Sequence, residues 1–198
     1  MVADRETEGM TEKIKAFAGD RPLRRYGVLA VIVLAALLCE FIAFQYGALK
    51  IIRYLFLVGA LFLIAWKDWK EKVILNRHLK ILIASRLFLL VCEWLVYPEY
   101  GFTILLSTLM GFVIGGAVFG ICYLISRGGM GAGDVKLISV LGLYLGGSVI
   151  MPAMILIVGS SAVFNIFNLI RKKTDLKSEV PFGPFVLLGS ILAMALGF

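Results

Sequence analysis

From residue 26 onward the chain is a series of apolar runs separated by short polar stretches, and this pattern constrains the fold more than any other. A helix that crosses the hydrocarbon of a bilayer needs about 20 residues. Runs of that order are expected as spans at Tyr26–Tyr46, Leu49–Trp66, Leu79–Tyr97, Phe102–Ile125 and Phe182–Phe198. Between the last two lies an apolar region, Val135 to Ile170, that is too long for one crossing and short for two. Gly146-Gly147 and Pro152 punctuate it, and glycine and proline interrupt helices. We therefore expect a short helix, Val135–Leu145, and a longer one, Ser148–Ile170, giving seven spans.

Composition agrees. The 198 residues are 61% hydrophobic, with a mean hydropathy of +0.95. That is too apolar for a soluble domain of this size. The expected fold class is all-α: a polytopic membrane helix bundle of about seven transmembrane helices. The net charge of +7 does not point to nucleic acid, because the bases gather beside apolar runs rather than forming a basic groove. Cys39, Cys92 and Cys122 each lie inside an apolar run with no Cys-x-x-Cys spacing, so no metal site or cofactor is expected. No cleavable signal peptide is expected either, since the first 25 residues carry five acids and no small-residue cleavage site follows.

Charge orients the bundle. Lys67, Lys70, Lys72, Arg77 and Lys80 follow the second span, Arg127 the fourth and Arg171, Lys172 and Lys173 the sixth. The alternate loops, Pro98–Gly101 and Gly146-Gly147, carry no base. Basic loops stay in the cytoplasm, which places the N-terminus inside and the C-terminus outside. Residues 1–25 are then a cytoplasmic tail, 26–48 an extra N-terminal transmembrane helix, and 49–198 a six-helix core. The spacings Gly111–Gly115, Gly116–Gly120 and Gly142–Gly146 favour close helix approach.

Two acids are level in this topology. Asp68 falls at the inner end of the second span, and Asp134 at the inner start of the fifth. Ionisable residues at membrane depth are costly and mark functional sites. Two carboxylates brought together cannot both ionise cheaply, so they titrate as a pair and suit general acid–base work. Asp68 by itself also reads as a solvated loop acid, and Asp134 as an acid in a flexible glycine loop. Arg86 and Glu93, seven residues apart on one helix face, read as a structural ion pair. Asn165 and Asn168 are expected to bond between helices.

The stretch Gly131-Ala132-Gly133-Asp134-Val135-Lys136 resembles the Gly-x-Gly-Asp motif of the type IV prepilin peptidases, a family that includes the archaeal preflagellin peptidases. Asp68 through Ile74-Leu75-Asn76 is similar to the family's first-aspartate region, which ends in Ile-Pro-Asn; Leu75 stands where the proline would be. Val180-Pro181-Phe182-Gly183-Pro184-Phe185 is similar to the Pro-Phe-Gly-Pro segment that opens the family's last helix. The resemblance covers residues 50–198. It implies a membrane aspartic endopeptidase of the prokaryotic cytoplasmic membrane, with Asp68 and Asp134 catalytic and without cofactor or metal. The implied substrates are prepilin-like precursors, cut at their leader on the cytoplasmic face, with the lipid bilayer as the other partner and no nucleic acid. Supporting positions are Gly131, Gly133, Lys136, Asn76, Pro181, Gly183 and Pro184. The cysteine-rich methyltransferase domain of many bacterial members has no counterpart in the cysteines of this sequence, so a peptidase-only form is expected. The other readings are a presenilin-like or signal-peptide-peptidase-like protease, and a small membrane transporter or assembly factor without enzymatic activity.

Overall fold

The computed structural model describes residues 35, 47–126, 130–171 and 180–197. The expected tail and all but the end of the expected N-terminal helix lie outside the described residues. Five helices make up the compact unit Gly47–Phe198: α1 (Ala48–Glu71), α2 (Asn76–Val96), α3 (Gly101–Ile125), α4 (Ala132–Ile170) and α5 (Gly183–Ala195). The all-helical expectation is met. A chain this apolar has to satisfy its backbone hydrogen bonds within each segment.

Three helices, α1, α3 and α4, are long and apolar enough to cross a membrane, and α5 is a shorter apolar helix. With its 21 residues α2 has the length, but charges at Arg77, Lys80, Arg86 and Glu93 interrupt its apolar character. The outward faces are largely apolar. Phe88 and Leu95 on α2, Phe102 and Leu124 on α3 and Ile155 and Val163 on α4 are all exposed. So much contiguous apolar surface suits lipid rather than water.

At Gly146, with φ 81° and ψ 174°, α4 leaves helical geometry. Continued straight, its 39 residues would extend about 58 Å, and Phe164 would lie about 45 Å along the axis from Asp134. Instead the Phe164 ring is 5.3 Å from that of Phe185 in the first turn of α5. That turn begins at Gly183, whose N–H bonds to Asp68, and Ile74, in the linker after Asp68, packs against Gly133 beside Asp134. The chain therefore turns back at Gly146. The expected division into two segments matches this fold-back, at the expected glycine.

Packing gives the direction of each element. A side chain on Gly115 would lie 2.9 Å from the Ile138 carbonyl oxygen, and one on Gly142 would meet the carbonyl of Gly111. The first half of α4 thus lies antiparallel to α3, backbone against backbone. Two of the predicted small-residue spacings supply that contact. Gly189 packs on Ile157 in the same way, with a Cβ position 2.7 Å from its backbone nitrogen. The second half of α4 thus runs antiparallel to α5. Buried residues concentrate in α4, from Leu137 through Ile157, so the broken helix is the bundle's centre.

The break exposes two backbone groups that a continuous helix would pair with each other, the Leu143 C=O and the Gly147 N–H. Side chains from two other helices take them. Arg86 Nε donates to the Leu143 carbonyl at 2.8 Å, and the Gly147 N–H donates to Ser107 Oγ at 3.3 Å. Arg86, 1% exposed, also donates to Glu93 Oε2 and to Thr108 Oγ1, each at 2.8 Å. The second Glu93 oxygen accepts from Arg53 at 3.0 Å. The expected Arg86–Glu93 pair is thus present, but as part of a four-helix network that also mends the break. Tyr144 adds a hydrogen bond to the Leu82 carbonyl at 2.8 Å. Asn165 and Asn168 do not bond between helices as expected. Neither has a side-chain hydrogen bond among the described residues, and Asn165 is exposed.

Candidate active site

At one end of the bundle meet the last turn of α1, the α1–α2 linker, the first turn of α4 and the first turn of α5. Asp68 lies on α1 itself, because the helix runs to Glu71, five residues beyond the expected span. It is 4% exposed. The Gly183 N–H donates to Asp68 Oδ2 at 2.7 Å. This amide comes from the start of a helix, where N–H groups have no intrahelical acceptor and the helix dipole favours an anion. Such an approach requires glycine: a Cβ on Gly183 would lie 3.1 Å from Ala65 Cα and from Asp68 Cβ and Oδ2. Pro184 sits in the first turn of α5, a position where the missing N–H costs nothing.

Asp134 is the third residue of α4, after Gly131 as N-cap. Its Oδ2 accepts the Gly131 N–H at 3.2 Å, the reciprocal half of a capping box. Asp134 is half-buried. Each carboxylate is therefore held through one oxygen by a glycine amide. The second oxygen of each has no hydrogen bond among the described residues, and neither is among the fully buried unpaired atoms. The contact of Ile74 with Gly133 brings the chain that follows Asp68 against the residue before Asp134.

The supporting residues divide. Gly183 and Gly131 touch the carboxylates directly. Gly133 instead admits Ile74, whose Cβ is 3.2 Å from where a Gly133 Cβ would be. Lys136 donates to Asn76 Oδ1 at 3.4 Å, tying α4 to α2 rather than reaching either aspartate. Pro181 and Phe182 lead into α5, with the Phe182 ring 5.9 Å from Phe119 on α3. Leu75, in the place of the family's proline, has φ −76° and ψ 128°, a conformation proline adopts readily. The turn is kept without the ring.

Ile74 and the orienting role of the Gly183 amide were not legible in the sequence. A backbone donor has no residue-type signature, and Ile74 gains significance only through its place against Gly133. Among the described residues, no group of three or more His, Cys, Asp or Glu is arranged to hold a metal ion.

The model of the type IV leader peptidase family matches residues 55–198. A prepilin leader peptidase/N-methyltransferase of Bacillus subtilis (strain 168) is 27% identical over 144 residues, 71% of this chain and 54% of the relative. The chain thus spans about half the length of that curated relative. No solved structure matches the chain. With nearly three quarters of its length inside the family match, and both aspartates within it, the chain belongs to the type IV leader peptidase family.

Proposed function

We propose that this protein is a membrane aspartic endopeptidase that removes the leader of prepilin-like precursors. The observation that carries the reading is the pair of carboxylates, each fixed by a glycine amide and each with one oxygen free. In this reading Asp68 and Asp134 share one proton and hold a water between their free oxygens. The charged partner takes a proton from that water as it attacks the peptide carbonyl. The protonated partner gives its proton to the carbonyl oxygen; as the intermediate collapses it takes one back from a hydroxyl, and the other carboxyl passes the proton it took from the water to the leaving amine. The relative's printed name supports a prepilin-like substrate.

The cytoplasmic face is the expected side for cleavage. Lys70, Lys72, Arg77 and Lys80 are exposed on the turns flanking Asp68, and such loops are retained inside. The N-terminus would then be cytoplasmic and the C-terminus outside.

The test is cleavage of a prepilin-like precursor by purified protein in detergent. Asp68→Asn and Asp134→Asn should each lower kcat/KM by roughly 10²- to 10⁴-fold, with melting temperature and helical circular dichroism retained. Near-wild-type turnover in either variant refutes the dyad. Since the acid and the base are both carboxylates, EDTA should leave the rate unchanged; a rate lost to EDTA and restored by a divalent ion refutes the metal-independent reading.

A further inference from the structure

We propose that the main chain of Ile74 aligns the substrate, its N–H and C=O pairing with an extended stretch of peptide laid across Asp68 and Asp134. The proposal rests on the carboxylate pair being the reacting centre.

The α1–α2 linker starts at one carboxylate and ends against the loop of the other. Lys72 closes α1 by donating its N–H to the Asp68 carbonyl at 2.8 Å. It does so with φ 52°, the one positive φ of a non-glycine residue among the described residues. Backbone held in this region is uncommon and often accompanies function. Three residues on, Leu75 is extended, with φ −76° and ψ 128°. The Ile74 side chain packs where Gly133 leaves room, 3.2 Å from the missing Cβ. This contact pins the Ile74 backbone beside the residue preceding Asp134.

Among the linker residues, Val73 and Ile74 have neither N–H nor C=O hydrogen-bonded among the described residues, and of the two it is Ile74 that packs against Gly133. The Lys72 N–H is used by Asp68, and the Leu75 C=O accepts from the His78 N–H at 3.1 Å. The N–H and C=O of Ile74 form no hydrogen bond among the described residues, and the residue is only half-buried. Backbone polar groups seldom stay unpaired away from bulk water. A substrate has the matching need: to expose one peptide bond to a water, its helix has to unwind there, which frees its own N–H and C=O groups near lipid. Pairing an extended peptide with an unpaired extended edge satisfies both sets. The same pairing sets the register of the scissile bond, because successive residues of a strand point their polar groups to opposite edges.

The experiment uses the full chain in detergent with a precursor peptide and its singly N-methylated forms, covering three residues on each side of the scissile amide but not that amide. Loss of kcat/KM of about tenfold or more, expected for a lost backbone hydrogen bond in a site of this kind, should fall on alternate residues. Among protein variants, Ile74→Ala measures the side chain's contribution, and Ile74→Pro removes the N–H as well. Ile74→Pro should raise KM at least about tenfold above Ile74→Ala, with kcat little altered. Proline keeps the carbonyl that accepts the substrate N–H, so the alternate-residue pattern of N-methyl losses should persist in Ile74→Pro.

Equal KM values for the two variants overturn the proposal. Should Ile74→Pro fail to fold, the wild-type series decides: uniform tolerance of N-methylation, or losses without alternation, overturns it. Cleavage of the unmodified peptide by wild type and its loss in Asp68→Asn test the carboxylate pair separately.

Discussion

At the residue scale the site depends on two backbone amides as much as on two side chains. Gly183 is the sharper case, since a methyl group there meets Asp68 and the backbone of α1 at 3.1 Å. Gly183→Ala should push α5 away from Asp68 and leave Oδ2 without its donor. We expect a fall in kcat of at least about tenfold and a stability loss of roughly 1–3 kcal/mol, read by peptide cleavage and by thermal unfolding in detergent. Leu75 offers the opposite change. Its φ of −76° suits proline, and its N–H has no hydrogen bond among the described residues. Leu75→Pro should therefore stabilise by about 0.4–1 kcal/mol by restricting the unfolded chain, which an upward shift of the unfolding midpoint would show. Unchanged or lower stability would mean that the linker is strained in a way its dihedral angles do not express.

At the element scale the central feature is a helix broken at Gly146 and mended by its neighbours. The glycine is required twice over: its φ is 81°, and a Cβ there would lie 2.6 Å from Ser107 Oγ. The mending places a guanidinium in the bundle interior, where Arg86 serves both the Leu143 carbonyl and Glu93. Arg86→Met should cost about 3–5 kcal/mol, because removing one member of a buried pair leaves its partner poorly compensated. The Arg53–Glu93 contact at 3.0 Å bounds the loss from above, since Glu93 keeps one cation. A double-mutant cycle with Glu93→Gln in thermal melts measures the coupling. A coupling near zero would remove the network from the list of forces that hold the break. The break was visible in the sequence as Gly146-Gly147 with Pro152. Its repair was not, because Ser107, Arg86 and Leu143 come from three separate segments whose juxtaposition only packing creates.

At the scale of the unit Gly47–Phe198, the broken helix α4 holds much of the buried core, and the carboxylates lie at one end. The α3–α4 contact leaves no room at Gly111 or Gly142. Gly142→Val should therefore separate α3 from the first half of α4 and displace Asp134 with it. Loss of cleavage should accompany a drop in melting temperature, unlike Asp134→Asn, which should abolish cleavage while leaving the melt intact. Orientation is tested independently of activity. In intact cells, a thiol at exposed Lys72 should resist membrane-impermeant reagents, and one at exposed Glu99, on the α2–α3 turn at the opposite end, should react. The reverse labelling pattern would move the site to the other side of the membrane.

The sequence by itself determined the all-helical class, and it put forward the two acids. Long apolar runs leave the backbone little choice but helix, charges beside those runs assign sides, and carboxylates at membrane depth stand out because they are costly. Only the tertiary structure decided how those acids are held. Gly183 lies 115 residues from Asp68, and nothing local to either marks the bond between them. The same holds for Ile74 beneath Gly133 and for Arg86 at the broken turn of α4. Each is a backbone or steric relation between distant segments, and such relations depend on packing geometry rather than on residue type.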